Sequence, residues 1–147
     1  MKNLTATICL TISVLFGTAE VSSSADFEKG YIAFQSGDYA TALREWTPLA
    51  EQGDAFTQYN LGQMYRKGKG VLQDYKTAVK WYTLAAEQGY ADAQSNLGTR
   101  YVKGQGVPQD DKTAVKWYTL AADQGNAFAQ TNFGRDVRQR TRCSQGL

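Results

Sequence analysis

The chain has no histidine, only two cysteines and only two prolines in 147 residues. Without histidine it lacks the commonest general base and the commonest metal ligand. The cysteines, Cys9 and Cys143, form no C-x-x-C pair and belong to no metal-ligand cluster. No catalytic group, cofactor site or metal site is therefore expected. Charge of one sign is also lacking: the net charge is +2, and residues 26–134 carry 11 basic against 12 acidic side chains. An electrostatic footprint for nucleic acid is missing outside the C-terminal tail, where Arg135, Arg138, Arg140 and Arg142 sit beside Asp136. Long hydrophobic runs are scarce as well. The uncharged stretch at 4–16 (LTATICLTISVLF) is too short for a bilayer, which needs about 20 apolar residues.

That stretch has the length of a signal-peptide h-region after the basic start at Lys2. Small residues before Ala19 and before Ala25 offer two cleavage sites, with Ala25 preferred because Asp26 opens a helical pattern. The alternative is a retained N-terminal anchor. Residues 1–25 are thus read as a signal peptide, with export to a periplasm or the medium. Cleavage removes Cys9 and leaves Cys143 alone, so no internal disulfide supports the fold.

What the chain does have is repetition. KTAVKWYTLAA occurs at 76–86 and again at 112–122, 36 residues apart, and 25 of 36 positions agree between 54–89 and 90–125. A repeat of this kind is one supersecondary unit that buries its apolar face against its neighbours. Each unit divides into two helices. Ala55, Gln58, Leu61, Gly62 and Tyr65 make one stripe, and Ala78, Trp81, Tyr82 and Ala85 make the second. The next copy repeats these with Ala91, Gln94, Leu97, Gly98 and Tyr101, then Ala114, Trp117, Tyr118 and Ala121. Glycines at 68–70 and 104–106 end the first helix of each unit, and Asp74 and Asp110 cap the second. Gly62 and Gly98 lie mid-helix, where glycine costs up to about 1 kcal/mol relative to alanine, so each marks a close helix approach.

Several sharper readings yield to this frame. Residues 67–70 (KGKG) lack the P-loop pattern and follow a helix. Asp110 and Asp111 are a cap and a first-turn charge, and Lys76, Lys80, Lys112 and Lys116 form a solvated ridge.

The string A-x-x-Q-x-N-L-G-x-x-Y-x-x-G-x-G-V-x-x-D-x-x-x-A-x-x-W-Y-x-x-A-A-x-x-G resembles the Sel-1-like repeat family. The resemblance implies an all-α fold, a right-handed α/α solenoid of tandem helix-turn-helix repeats related to tetratricopeptide repeats. Residues 54–89 and 90–125 match it, while 26–53 look like an ordinary tetratricopeptide unit with a shorter loop. Residues 126–147 start a fourth unit with Ala127, Gln130, Asn132, Phe133 and Gly134 and then depart from the pattern. A shifted reading frame from Asp136 can encode the expected continuation, which suggests a truncated array. Without a second helix, the apolar side of Ala129 and Phe133 is expected to be partly uncovered and to favour self-association.

The resemblance further implies adaptor, assembly, host-interaction or envelope roles, with a protein or peptide as partner and no catalysis. The alternative is a secreted enzyme or ligand binder acting on cell-wall-type substrates, although the relatives with that proposal resemble disulfide-stapled repeats and this chain lacks paired cysteines. A third reading is a gene copy with no retained role. In the tetratricopeptide arrangement the first helices line the concave face. The expected partner-binding residues are then Phe56, Tyr59, Gln63 and Arg66, followed by Asp92, Ser95, Thr99 and Val102, and by Phe128, Thr131 and Arg135.

Overall fold

The computed structural model describes residues 17–132. All regular structure among them is helical: α1 (Gly17–Ser36), α2 (Tyr39–Glu51), α3 (Ala55–Lys67), α4 (Tyr75–Glu87), α5 (Ala91–Lys103) and α6 (Asp111–Asp123), with the start of a further helix at 127–132. The apolar leader at 1–16 and the basic tail from 133, with its suspected frame change, lie outside the described residues. No helix among the described residues is long and apolar enough to cross a membrane. Helix α1 begins at Gly17, earlier than the start expected at Asp26. No proline or glycine interrupts 18–29, so the helix continues through both candidate cleavage points.

Local chemistry sets the helix ends. At Asp74 and Asp110 one carboxylate oxygen accepts backbone N–H bonds from Lys76 and Thr77 or from Lys112 and Thr113, at 2.9–3.2 Å. The other oxygen accepts from the Thr77 or Thr113 hydroxyl at 2.6 Å. These bonds, the threonine side chain's foremost, hold both carboxyl pKa values below the ordinary aspartate range. At the other end, Gly68 (φ 67°) and Gly104 (φ 62°) take the left-handed conformation that closes α3 and α5.

The described residues up to Trp46 and those from Thr47 onward form two compact units, the division falling inside α2. In the first, a Cβ on Gly30 would stand 2.5 Å from the Trp46 ring. The indole N–H donates to the Phe27 carbonyl at 3.3 Å, and the Phe34 ring lies 5.4 Å from it. Lys29 pairs with Glu45 at 2.7 Å.

The second unit stacks the hairpins α3–α4 and α5–α6, with α4 against α5. Its core runs through Leu61, Met64, Ala78, Val79, Tyr82, Ala85, Ala86, Ala93 and Leu97, then Val102, Ala114, Tyr118, Ala121 and Ala129. Buried glutamines tie the hairpins together. Gln58 Nε2 donates to the Ala50 carbonyl at 2.9 Å, and its Oε1 accepts from Gln88 Nε2 at 2.8 Å. Gln94 repeats the arrangement with the Ala86 carbonyl (3.1 Å) and Gln124 Nε2 (2.8 Å).

Two expectations are corrected. Trp81 and Trp117 are half-buried, whereas Tyr82 and Tyr118 are enclosed (0 % and 1 % exposed). Glycine decides this, because Gly62 and Gly98 vacate the space that the tyrosine rings fill, and the tryptophans lie one residue to the side. Ala129, expected at an uncovered edge, is buried with Val102, Tyr118 and Ala121; Phe133 lies outside the described residues.

A Cβ on Gly62 would meet the Tyr82 ring at 2.6 Å, and one on Gly98 would meet the Tyr118 ring at 3.0 Å. Overpacking costs about 1–3 kcal/mol, against a helix-propensity gain of at most about 1 kcal/mol. Gly62→Ala is expected to lower the urea midpoint, and by more than Gly98→Ala does. A midpoint for Gly62→Ala at or above that of the parent would contradict the packing described.

Candidate functional site

The second unit gathers an aromatic and polar surface along α3 and the start of α5. Phe56 and Tyr59 stand one turn apart on α3, and Tyr90, the residue before α5, meets both. Its ring is 6.4 Å from Phe56, edge-on at 86°, and 5.2 Å from Tyr59. Tyr59 also leans on the Tyr82 ring at 6.0 Å. Further along α3, Gln63 Nε2 donates to the Tyr59 hydroxyl at 2.8 Å. Gln63 Oε1 accepts from Arg66 Nε and Nη2 at 3.0 and 2.7 Å. Phe56, Tyr59, Gln63 and Arg66 are all half-buried. The spacing that put them on one helical face thus also joins them in one network.

The equivalents on α5 behave differently. Asp92 is exposed, and its carboxylate accepts from Asn126 Nδ2 at 2.7 Å. Thr99 is half-buried, with its hydroxyl 2.9 Å from the Tyr118 hydroxyl. Ser95 and Val102, expected on the binding face, are buried at 1 % and 5 % exposure and offer no surface. Their side chains are short where the preceding copy has Tyr59 and Arg66, so they do not reach out of the packed layer. Phe128 (55 % exposed) and Thr131 lie open on the last described helix. Arg135 lies outside the described residues.

Sequence reasoning missed two residues. Tyr90 holds the register of Asp54 in the preceding copy, an N-cap whose carboxylate accepts from Thr57 N–H. Tyr90 makes no side-chain cap bond, and its ring serves the aromatic cluster instead. Arg100 holds the register of Met64, and a charge at a core position was the signal that could have exposed it.

Burial dominates the electrostatics. It raises the phenol pKa values of Tyr59, Tyr82 and Tyr90, and lowers that of the Arg100 guanidinium. The Tyr82 shift is the largest: Arg66 and Arg100 act against it, yet the hydroxyl has no hydrogen-bond partner of good geometry. Among the described residues no group of three His, Cys, Asp or Glu side chains could hold a metal. The surface presents aromatic faces and hydrogen-bonding side chains.

The pattern of the Sel1 repeat matches residues 55–90 and 91–126. Among solved structures, a Sel1 repeat protein from Oxalobacter formigenes is 38% identical, with a TM-score of 0.69 over 71% of this chain and 43% of that one. A protective antigen of uropathogenic Escherichia coli strains displaying an SLR fold is 41% identical (TM-score 0.73), covering 79% of this chain and 26% of that one. The chain therefore spans less than half the length of either. Helicobacter pylori cysteine rich protein B shares the fold at 22% identity (TM-score 0.59), over 78% of this chain and 97% of its own. No curated protein matches the sequence.

The buried phenols give the fold an alkaline limit. A phenol whose pKa is raised on folding contributes stability below its unfolded value, about 10, and loses it as pH rises above that value. The urea midpoint is expected to hold steady up to about pH 9 and then fall. Tyr82→Phe, which removes an unpaired buried hydroxyl, should keep its pH 8 midpoint within about 1 kcal/mol of the parent and decline less steeply above pH 10. Equal slopes for the two proteins would rule out Tyr82 as the titrating group.

Proposed function

Because residues 55–126 make this chain a Sel1 repeat protein, a class that generally mediates protein–protein interaction, we propose that it is an exported, non-catalytic scaffold binding a protein or peptide through the face of α3 and α5. The aromatic cluster of Phe56, Tyr59 and Tyr90 carries this reading. Aromatic side chains that are part packed and part open, on a rigid support, supply large contact area at low entropic cost. The two copies agree through most of their core and second helices and differ at Phe56/Asp92, Tyr59/Ser95, Gln63/Thr99 and Arg66/Val102. A fixed scaffold with a variable face is how repeat proteins separate stability from recognition. The apolar leader at 1–16 supports a periplasmic or extracellular place of work.

Removing two aromatic anchors from one interface typically costs about 2–4 kcal/mol or more. Capture of partners from an envelope extract by Phe56→Ala/Tyr59→Ala should fall at least about tenfold relative to the parent, with the helical circular dichroism spectrum retained. Undiminished capture by a folded double variant would exclude this face.

A further inference from the structure

The rings of Phe56 and Tyr90 stand edge-on at 86° with centroids 6.4 Å apart, and Tyr59 lies 5.2 Å from Tyr90, tilted by 43°. All three side chains are half-buried, so part of each ring packs and part stays open. The face of an aromatic ring carries the negative end of its quadrupole. Two rings at nearly a right angle offer two such faces to one bound group. The charges around this corner are of one sign. Asp54 precedes Phe56 by two residues, Asp92 follows Tyr90 by two, and both are exposed. Each accepts from a neutral donor at 2.7 Å, the Thr57 N–H or Asn126 Nδ2, and neither has an ion pair among the described residues. The basic residues of α3 and α5 all lie in the last turn: Arg66 and Lys67, then Arg100 and Lys103. Arg66 is ten residues beyond Phe56, about 15 Å along the helix, and its guanidinium is taken by Gln63 Oε1. A helix N-terminus carries about half a positive unit charge, and a carboxylate brings a full negative one, so the corner stays net negative. Burial raises the Tyr90 phenol pKa, and the charges of Asp92 and Asp54 add to the rise. The next joint fills the same registers differently: Asp92 and Asn126, 36 residues after Phe56 and Tyr90, bond to each other. The polar pair satisfies itself, whereas the ring pair keeps its faces available.

We propose that the corner of Phe56, Tyr59 and Tyr90, with Asp92 beside it, receives a lysine or arginine side chain of the bound protein or peptide. The inference rests on the scaffold reading above and names the chemistry that the partner carries. The alkyl stem of such a side chain lies along the rings. Its cationic head meets the ring faces and the Asp92 carboxylate oxygen that Asn126 leaves free. A neutral side chain of the same length gains the apolar contact alone, and an acidic one meets like charge.

The test is a titration of the full chain, ¹³C-labelled at phenylalanine and tyrosine, with acetyl-Ala-X-Ala-amide peptides at matched ionic strength. The central residue X is lysine, arginine, norleucine or glutamate. The ring resonances of Phe56 and Tyr90 should shift saturably with the lysine or the arginine peptide, at least about threefold more tightly than with norleucine, and least with glutamate. The tighter of the two cationic peptides identifies the preferred head group, and the preference should shrink as sodium chloride is raised. Asp92→Asn, at an exposed position, removes the charge and keeps an acceptor for Asn126. Phe56→Leu keeps an apolar side chain and removes a ring face. Each should bring lysine to within about twofold of norleucine while the helical circular dichroism spectrum is retained. The assignment is overturned if both rings are silent to the two cationic peptides, if norleucine or glutamate binds as tightly, or if either variant, folded, leaves the preference intact. Equal binding of lysine and norleucine, alongside partner capture that still depends on Phe56 and Tyr59, overturns this assignment alone and leaves the scaffold reading intact.

Discussion

One contact recurs and governs the packing of each helical pair: a mid-helix glycine against the face of a large ring. Gly30 meets Trp46, Gly62 meets Tyr82 and Gly98 meets Tyr118, each so closely that a methyl group would collide or press on the ring. Trp46 occupies the register of Tyr82, 36 residues earlier, so the first unit uses the same device with a larger ring. Ring burial contributes roughly 2–3 kcal/mol, which outweighs the helix penalty of the glycine, at most about 1 kcal/mol. The balance holds only while the ring fills the space. That is why the two positions belong together and why alanine, a better helix former, is the wrong residue there.

Hairpins built this way still need a joint. The buried glutamines provide one, each bridging the carbonyl at the end of the preceding helix to the glutamine that closes the following one. Buried amides are costly if unpaired and inexpensive if fully bonded. The joint therefore sets a register and an angle, whereas apolar contact alone would permit sliding. Caps at Asp74 and Asp110 and glycine stops at Gly68 and Gly104 fix the helix lengths between joints. The half-buried aromatic side chains of α3 stand on this support.

On that support, the two copies differ most along the first helix of each unit, and at one enclosed position within it. The aromatic cluster gains its third member from a cap position that gave up capping, since Tyr90 makes no side-chain bond to its helix. Arg100 is the anomaly: a charged group where the fold is otherwise satisfied by methionine. Departures from local rules of this kind accord with the proposed recognition surface carried on a stable scaffold. The smaller side chains of α5, Ser95 and Val102, sink into the packed layer, so the two copies present different chemistry from nearly the same backbone.

The sequence by itself determined whatever depends on near neighbours or on exact repetition. Helix starts follow from Asp74 and Asp110, helix stops from glycine, and the repeat from a string that returns after 36 residues, because capping and periodicity act within a few residues of the chain. Gly62 and Gly98 likewise announced a close approach through their cost in a helix. The tertiary structure decided which side of each stripe was tightest and which candidates remained in contact with solvent. Tyr82 rather than Trp81 is enclosed, Ser95 and Val102 are lost from the surface, and Tyr90 and Arg100 enter the site. Those outcomes depend on residues several helical turns or a whole helix away along the chain, whose rings and backbones compete for one volume, and helical spacing carries no record of that competition.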